Sequence, residues 1–247
     1  MFSISVLSIV FIASNHFTAV SADLSLRLTS IEQMVSKTYD HIWDCCCDHG
    51  QLGIELMQQN MRSTVHFVDV VEPIMLQLEQ QLQLQSSKGM VGKNWRIHCL
   101  DVARLPLSEV ENANKASQLV IIAGVGGDLL IELVHSIVSL HPTLNLEFIL
   151  CPVHHNFKVR EALIAMDFGL IDECLVKENR RYYEVLHLSQ QEITPLSRVG
   201  SKMWNFGRKE DCHYLKLTIE HYQRVAQSGD DKVNRILYDY EALRERS

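Results

Sequence analysis

The sequence predicts an α/β fold, a doubly wound, mostly parallel sheet with a late antiparallel hairpin, plus a C-terminal helical hairpin. Three observations predict it. Short apolar, β-rich runs alternate with helical periodicity five times over, which implies parallel strands covered on both faces. Two further β-rich arms flank the polar turn of "LIDECLVKENRRYYEVLHL". From about Pro195 the strand pattern stops, and two helical patterns surround the turn "SGDD".

Residues 1–23 form an apolar N-terminal extension ending in small residues. It is signal-like but carries no Lys or Arg before Arg27, so a translation-start artefact or a dispensable extension is expected ahead of an export signal. Residues 24–190 are the main domain, opened by the amphipathic helix "LSLRLTSIEQMV". The five strands are "HIWDCCC", "STVHFVDVVE", "NWRIHCLD", the start of "SQLVIIAGVGGDLLIELVHSIVSL", and "LEFILCP". Helices follow in "QLGIELMQQN", in "PIMLQLEQQLQLQ" after the helix-opening Pro73, after the glycine turn, and in "HNFKVREALIAMDFG", closed by Gly169. Residues 195–247 are the helical appendage, with Leu215, Ile219 and Tyr222 facing Ile236, Leu237, Tyr240 and Leu243.

Composition narrows the function. The chain has 247 residues, 47% hydrophobic, and no stretch beyond the extension suggests a membrane span. Its net charge of -7 argues against broad nucleic-acid binding but leaves room for a local basic face. Seven cysteines cannot all pair, and their apolar surroundings suit free thiols in a reducing compartment, so a cytoplasmic location is expected.

In a doubly wound sheet the ligand crevice lies beyond the C-terminal strand ends, where the informative polar residues fall. Asp44 ends the first strand, and Asp48, His49 and Gly50 form a turn into a helix N-terminus. Asp69 or Glu72, after the second strand, suits a ribose diol; Asp101, after the third, suits an exocyclic amine. Ala123, Gly124, Gly126 and Gly127 would let a ligand approach the backbone closely. Together these suggest an adenosyl cofactor, while the missing GxGxxG and Walker lysine disfavour NAD and ATP. Turn-forming and helix-capping roles remain the competing explanation for each residue alone. No metal is expected: neighbouring residues on a strand point to opposite faces, so Cys45, Cys46 and Cys47 cannot present three thiolates to one ion.

These motifs resemble the TrmK family of bacterial tRNA (adenine-22, N1) methyltransferases, from about Leu24 to Leu188 and more loosely beyond. The resemblance rests on "LSLRL" with Arg27, on Asp44, Asp48 and His49 in "DCCCDHGQLG", and on "IAGVGG". It continues through Pro152, Arg160 and Glu161, then Glu178, Arg181, Tyr183 and Glu184. It implies a class I (Rossmann-like) methyltransferase fold, S-adenosyl-L-methionine as cofactor and tRNA as partner. It also implies cofactor roles for Arg27, Asp44, Cys46, Asp48, His49, Gly50, Asp69, Glu72, Asp101 and Ala123 to Gly127 other than Val125. Catalytic work would fall to Asp48, His49 and Tyr183, and substrate contacts to Pro152, Arg160, Arg181, Tyr183 and Glu184.

Three departures stand out. Cys46 occupies the loop glycine's position, Cys47 that of a Ser or Thr, and Val153 that of an Asn after the proline. A Cβ at position 46 should restrict the backbone and crowd the cofactor's methionine end. A different acceptor, or a non-catalytic RNA- or partner-binding member, are the alternatives. For stacking the acceptor base the candidates are Tyr183 and Phe157. Lys177, Arg180, Arg181 and Arg160, or Arg198, Lys202, Arg208 and Lys209, are candidates for phosphate contacts.

Overall fold

The computed structural model describes residues 24–60, 62–227 and 229–244. The N-terminal extension, with both readings of it, lies outside the described residues. Strand β1 (His41–Cys45) is buried at every position after His41. It pairs in parallel with β2 (Thr64–Asp69) and β4 (Gln118–Ala123), so Cys45 faces Val68 on one side and Ile122 on the other. This register makes the three strands end together. β3 (Trp95–Cys99) closes one edge and β5 (Leu146–Cys151) extends the other side. Beyond β5 lie β7 (Arg181–Ser189) and then β6 (Gly169–Glu178), with β7 alone running antiparallel to its neighbours. The hairpin turn uses left-handed Asn179 (φ 47°) and Arg180 (φ 66°). That suits a two-residue turn matching the strands' twist.

Helix α1 (Leu26–Met34) precedes the sheet and is capped by Ser25, whose Oγ accepts from the Leu28 N–H at 3.3 Å. The crossovers are α2 (Gln51–Gln59), α3 (Glu72–Ser87), α4 (Gly127–Leu140) and α5 (Asn156–Ala165). Each buries one stripe: Leu52, Leu56 and Met57 in α2; Met75, Leu78 and Leu82 in α3; Leu130, Leu133, Val134 and Ile137 in α4. Neighbouring residues of β1 serve opposite layers, Trp43 packing with Val120 and Phe148, Ile42 with Phe67 and Leu56. Burying each such side chain contributes about 1.5–3 kcal/mol, so two full layers hold the strand ends rigidly.

The element after β5 ends differently from the expectation. α5 stops at Ala165, and left-handed Asp167 (φ 60°) reverses the chain. Gly169 instead begins β6, pressed against the Glu192 backbone, where a Cβ would approach the carbonyl oxygen to 2.0 Å. At the C-terminus α6 (Lys209–Ala226) and α7 (Asp231–Arg244) form the expected hairpin, Leu215 and Ile219 packing with Ile236 and Tyr240. Phe157 and Val199 complete that cluster. Phe157 is thereby buried and cannot offer a face to a base, correcting its assignment as a stacking residue. Among the described residues no helix is long and apolar enough to cross a membrane.

Candidate active site at the strand ends

Where β1 and β4 end side by side, the strand order reverses direction and a crevice opens. A cleft of about 310 Å³ lies there, lined by Arg27 and Leu28 of α1, the Asp44 to His49 loop, Ala123, and Glu178 from the hairpin. A larger, shallow groove of about 600 Å³ follows α3 and the beginning of β3, at Glu79, Gln83, Lys93, Trp95 and Arg96. It is remote from the strand ends that gather the chemistry.

The loop after β1 is built by tertiary contacts. Cys46 (φ 56°), Asp48 (φ 50°) and Gly50 (φ 70°) are all left-handed. Only glycine adopts that conformation freely; elsewhere it costs about 1–2 kcal/mol. Here the Cys47 N–H donates to the Val68 carbonyl at 3.2 Å and the Asp48 N–H to Asp69 Oδ2 at 3.2 Å. Cys46 therefore takes the shape that glycine would supply, and its Cβ has not prevented the loop from forming. Gly50 has a packing reason too, because a Cβ there would meet Leu78 at 2.8 Å.

Asp44 is buried beneath this loop, and its Oδ2 accepts from the Gly53 N–H at 2.9 Å. Burial pushes its carboxyl up to about 7, against the Gly53 hydrogen bond and helped by the charge of Asp69. Burial, with Asp69, Asp44 and Asp101 nearby, pushes the Cys46 thiol up to about 11. That thiol stays protonated at neutral pH, the wrong form for metal ligation or nucleophilic attack. Among the described residues no group of three or more His, Cys, Asp or Glu is placed to hold a metal, and every cysteine is free.

Arg27 of α1 lines the same cleft as Asp44. Its guanidinium lies over the Tyr183 ring at 5.3 Å and its backbone N–H donates to Glu178 Oε1 at 3.3 Å. Gly124 (φ 85°) leaves it room, since a Cβ there would lie 3.2 Å from Nη1. That Nη1 is buried and makes no hydrogen bond of its own, while the guanidinium as a whole also interacts with the buried Cys151 thiol. An unsatisfied buried donor costs about 1–3 kcal/mol. A carboxylate reaching the guanidinium would satisfy it, and a cation beside Asp44 would favour the ionised form of that buried carboxyl.

The remaining expected residues divide by position. Asp48 and His49 are exposed at the rim, 3.6 Å apart. Asp69 spends hydrogen bonds on its own turn, accepting from the N–H groups of Asp48 and Val71. Glu72 is exposed in the first turn of α3, and Asp101 caps a short 3₁₀ turn by accepting from the Ala103 N–H at 2.9 Å. Gly126 and Gly127 begin α4 beneath His154 and His155. Pro152 is buried; Arg181 is exposed at the hairpin tip beside Lys177 and Arg180.

Arg160 and Glu184, expected as substrate contacts, lie in the core rather than in the cleft wall. Both are fully buried, Arg160 Nε donating to Glu184 and Nη2 to Glu173, each at 2.7 Å. Its Nη1 donates to the Ser197 carbonyl and Tyr214 donates to Glu184, so the network ties α5 and the hairpin to α6. Of the second basic group, Arg208 pairs with buried Asp211, Arg198 faces Asp239 at 3.6 Å, and Lys202 donates to the Ile171 carbonyl. Sequence reasoning passed over Glu178 as a cleft residue and Ser25 as a cleft wall. The "ENRR" turn signal located the hairpin tip, but only the tertiary fold brings it against α1.

Comparison with known proteins agrees with this architecture. A Mycoplasma pneumoniae protein provisionally named a tRNA methyltransferase is 23% identical over 227 residues, spanning 88% of this chain and 95% of its own. M. capricolum TrmK, solved with S-adenosyl-homocysteine, superposes with a TM-score of 0.67 at 16% identity, covering 89% of this chain and 97% of that one. A Streptococcus pneumoniae protein provisionally described as a tRNA (m1A22) methyltransferase, solved with S-adenosyl-L-methionine, gives 0.68 at 17% identity, covering 89% and 98%. At these identities the solved structures establish a shared fold, the Rossmann-like fold of class I methyltransferases. With the family model for the methyltransferase domain matching residues 24–186, the chain belongs to the methyltransferase domain family.

Proposed function

We propose that this chain transfers a methyl group from S-adenosyl-L-methionine to N1 of an adenine in tRNA. The observation that carries the reading is the pairing of Arg27, whose buried Nη1 makes no hydrogen bond of its own, with Asp44 in one small cleft. A ligand end bearing both a carboxylate and a cation fits that pairing, as the methionine moiety does. When bound, the cofactor supplies an activated methyl group on a sulfonium centre.

Arg27 would hold the carboxylate, Asp44 the ammonium, and Ala123 with Cys46 the walls between them. Asp69 and Glu72, at and just past the end of β2, would take the ribose diol, and Asp101, after β3, the adenine edge. Adenine N1 has its own lone pair, so the chain's main task is alignment rather than deprotonation. Asp48, exposed at the rim, is placed to stabilise positive charge developing on the acceptor, with His49 beside it. Tyr183, covered on one side by the Arg27 guanidinium, fixes that side chain. The exposed cations Lys177, Arg180 and Arg181 at the hairpin tip would take phosphates, which dominate affinity for RNA.

The acceptor assignment is supported by the tRNA methyltransferase names of the similar proteins. A tRNA acceptor also carries with it the cytoplasmic location expected from the free thiols. Calorimetry with S-adenosyl-L-methionine and S-adenosyl-homocysteine tests the cofactor; heat that saturates at one site per chain is expected. Absence of binding at millimolar ligand would overturn the reading.

A further inference from the structure

Phe157 is buried, and the half-buried Tyr183 has one face given to the Arg27 guanidinium. The loop after β5 holds an exposed aromatic pair instead. His154 lies against the glycine turn after β4, so closely that a Cβ on Gly126 would come within 2.9 Å of its Cε1 and 3.0 Å of its Nε2. That turn starts at Ala123, which closes the cofactor cleft. The two loops are zipped together, the Gly124 N–H donating to the Cys151 carbonyl at 3.1 Å and the Val153 N–H to the Val125 carbonyl at 3.0 Å.

The pair is also held from below. His155 is left-handed (φ 63°), a conformation that side chains other than glycine's adopt only under strain. Its Nδ1 meets Asp128 Oδ2 at 3.1 Å, and Lys158 donates to the other oxygen of Asp128 at 2.6 Å. The His154 and His155 rings lie 4.3 Å apart, edge on. Chain reversal at His155 thus leaves the His154 ring on the turn, flanked by Val153, which is 38% exposed. A strained backbone, a clamped neighbour and an exposed ring seated on glycine form a built surface.

We propose that His154 is the platform on which the acceptor base stacks, with His155, Asp128 and Lys158 as its positioning residues. This deepens the proposed function and rests on it for the identity of the acceptor. Stacking on an imidazole needs only a π-face, which every base offers, and removing an aromatic platform weakens RNA binding about tenfold or more. An apolar Val153 beside the ring favours the face of a base over its polar edge.

The test compares the full chain with His154→Ala and His154→Phe. Calorimetry gives cofactor affinity, steady-state methyl transfer to unmodified tRNA gives kcat and KM separately, and quenching of a 2-aminopurine-bearing single-stranded RNA reports stacking without turnover. The expected result is unchanged cofactor affinity in both variants, about tenfold lower kcat/KM and lost quenching in His154→Ala, and recovery in His154→Phe. The platform is overturned if His154→Ala transfers within twofold of the unsubstituted chain, or if Phe is as damaging as Ala. If the unsubstituted chain modifies no tRNA, the acceptor assignment fails on its own. The platform is then decided by the quenching, and equal quenching with and without His154 would overturn it.

Discussion

Arg160→Met separates a structural role from a substrate-binding one. Arg160 bridges Glu173 and Glu184 in a site with no solvent access, and it makes hydrogen bonds of 2.7 Å to each. The guanidinium holds the Glu173 carboxyl below the usual range despite its burial. Methionine fills similar volume but leaves two buried carboxylates facing each other. Removing one partner of a buried pair costs about 3–5 kcal/mol. The upper half of that range applies here, because two acceptors lose one donor. Glu173 keeps the N–H of Lys202 at 2.6 Å, and Glu184 keeps the Tyr214 hydroxyl at 2.7 Å, which limits the loss. For a domain of this size, with about 2–4 °C per kcal/mol, Tm should fall by about 10–15 °C. Chemical denaturation should show a lower midpoint at unchanged slope. Adding Glu173→Gln and Glu184→Gln should recover most of the loss by removing the unpaired charge. A stability change under about 1 kcal/mol, combined with a raised KM for tRNA, would refute this reasoning and return Arg160 to the substrate.

Arg27→Ala should weaken S-adenosyl-homocysteine binding at least tenfold in calorimetry, at a cost to the fold of about 1 kcal/mol from the lost contact with the Tyr183 ring. Unaltered affinity would remove the carboxylate role. His66 sits within hydrogen-bond range of His41 and His98, at 3.0 and 2.9 Å, and burial with its neighbours' positive charge pushes it down to about 2. Its unfolded value is near 6.5, so the stability it secures is complete above that pH and drains as pH falls toward 2. Thermal unfolding should steepen below pH 6.5, and His66→Gln should flatten that limb; identical pH profiles would contradict the assignment. At position 46, Gly should be more stable than Ala by about 1 kcal/mol, measured by denaturant midpoint. Glycine alone relieves the φ of 56°. Equal midpoints would mean that the loop stores no strain there.

The sheet was legible because its signals are local and repeated. Alternating apolar runs located every strand, and "ENRR" marked a turn whose left-handed residues the structure shows. Asp44, Cys46, Asp48 and His49 could be placed at one crevice because strand-end loops in such a sheet share one side. Arg160 was not legible, since an Arg-Glu pair on an amphipathic helix reads as surface until α6 covers it. Nor was the shape of the loop at Cys46. Intrinsic preference demands glycine there, and two long-range hydrogen bonds, to Val68 and Asp69, override it. Phe157 misled for the same reason as Arg160: its partners lie in the C-terminal hairpin, far away in sequence.

The most direct test of the central claim is methyl transfer from labelled S-adenosyl-L-methionine to unmodified tRNA, followed by mass spectrometry of the digested nucleosides. The account predicts label in 1-methyladenosine alone, at one site per tRNA, and its loss in Arg27→Ala. Label in another nucleoside, or cofactor binding with no transfer to any tRNA, would contradict it.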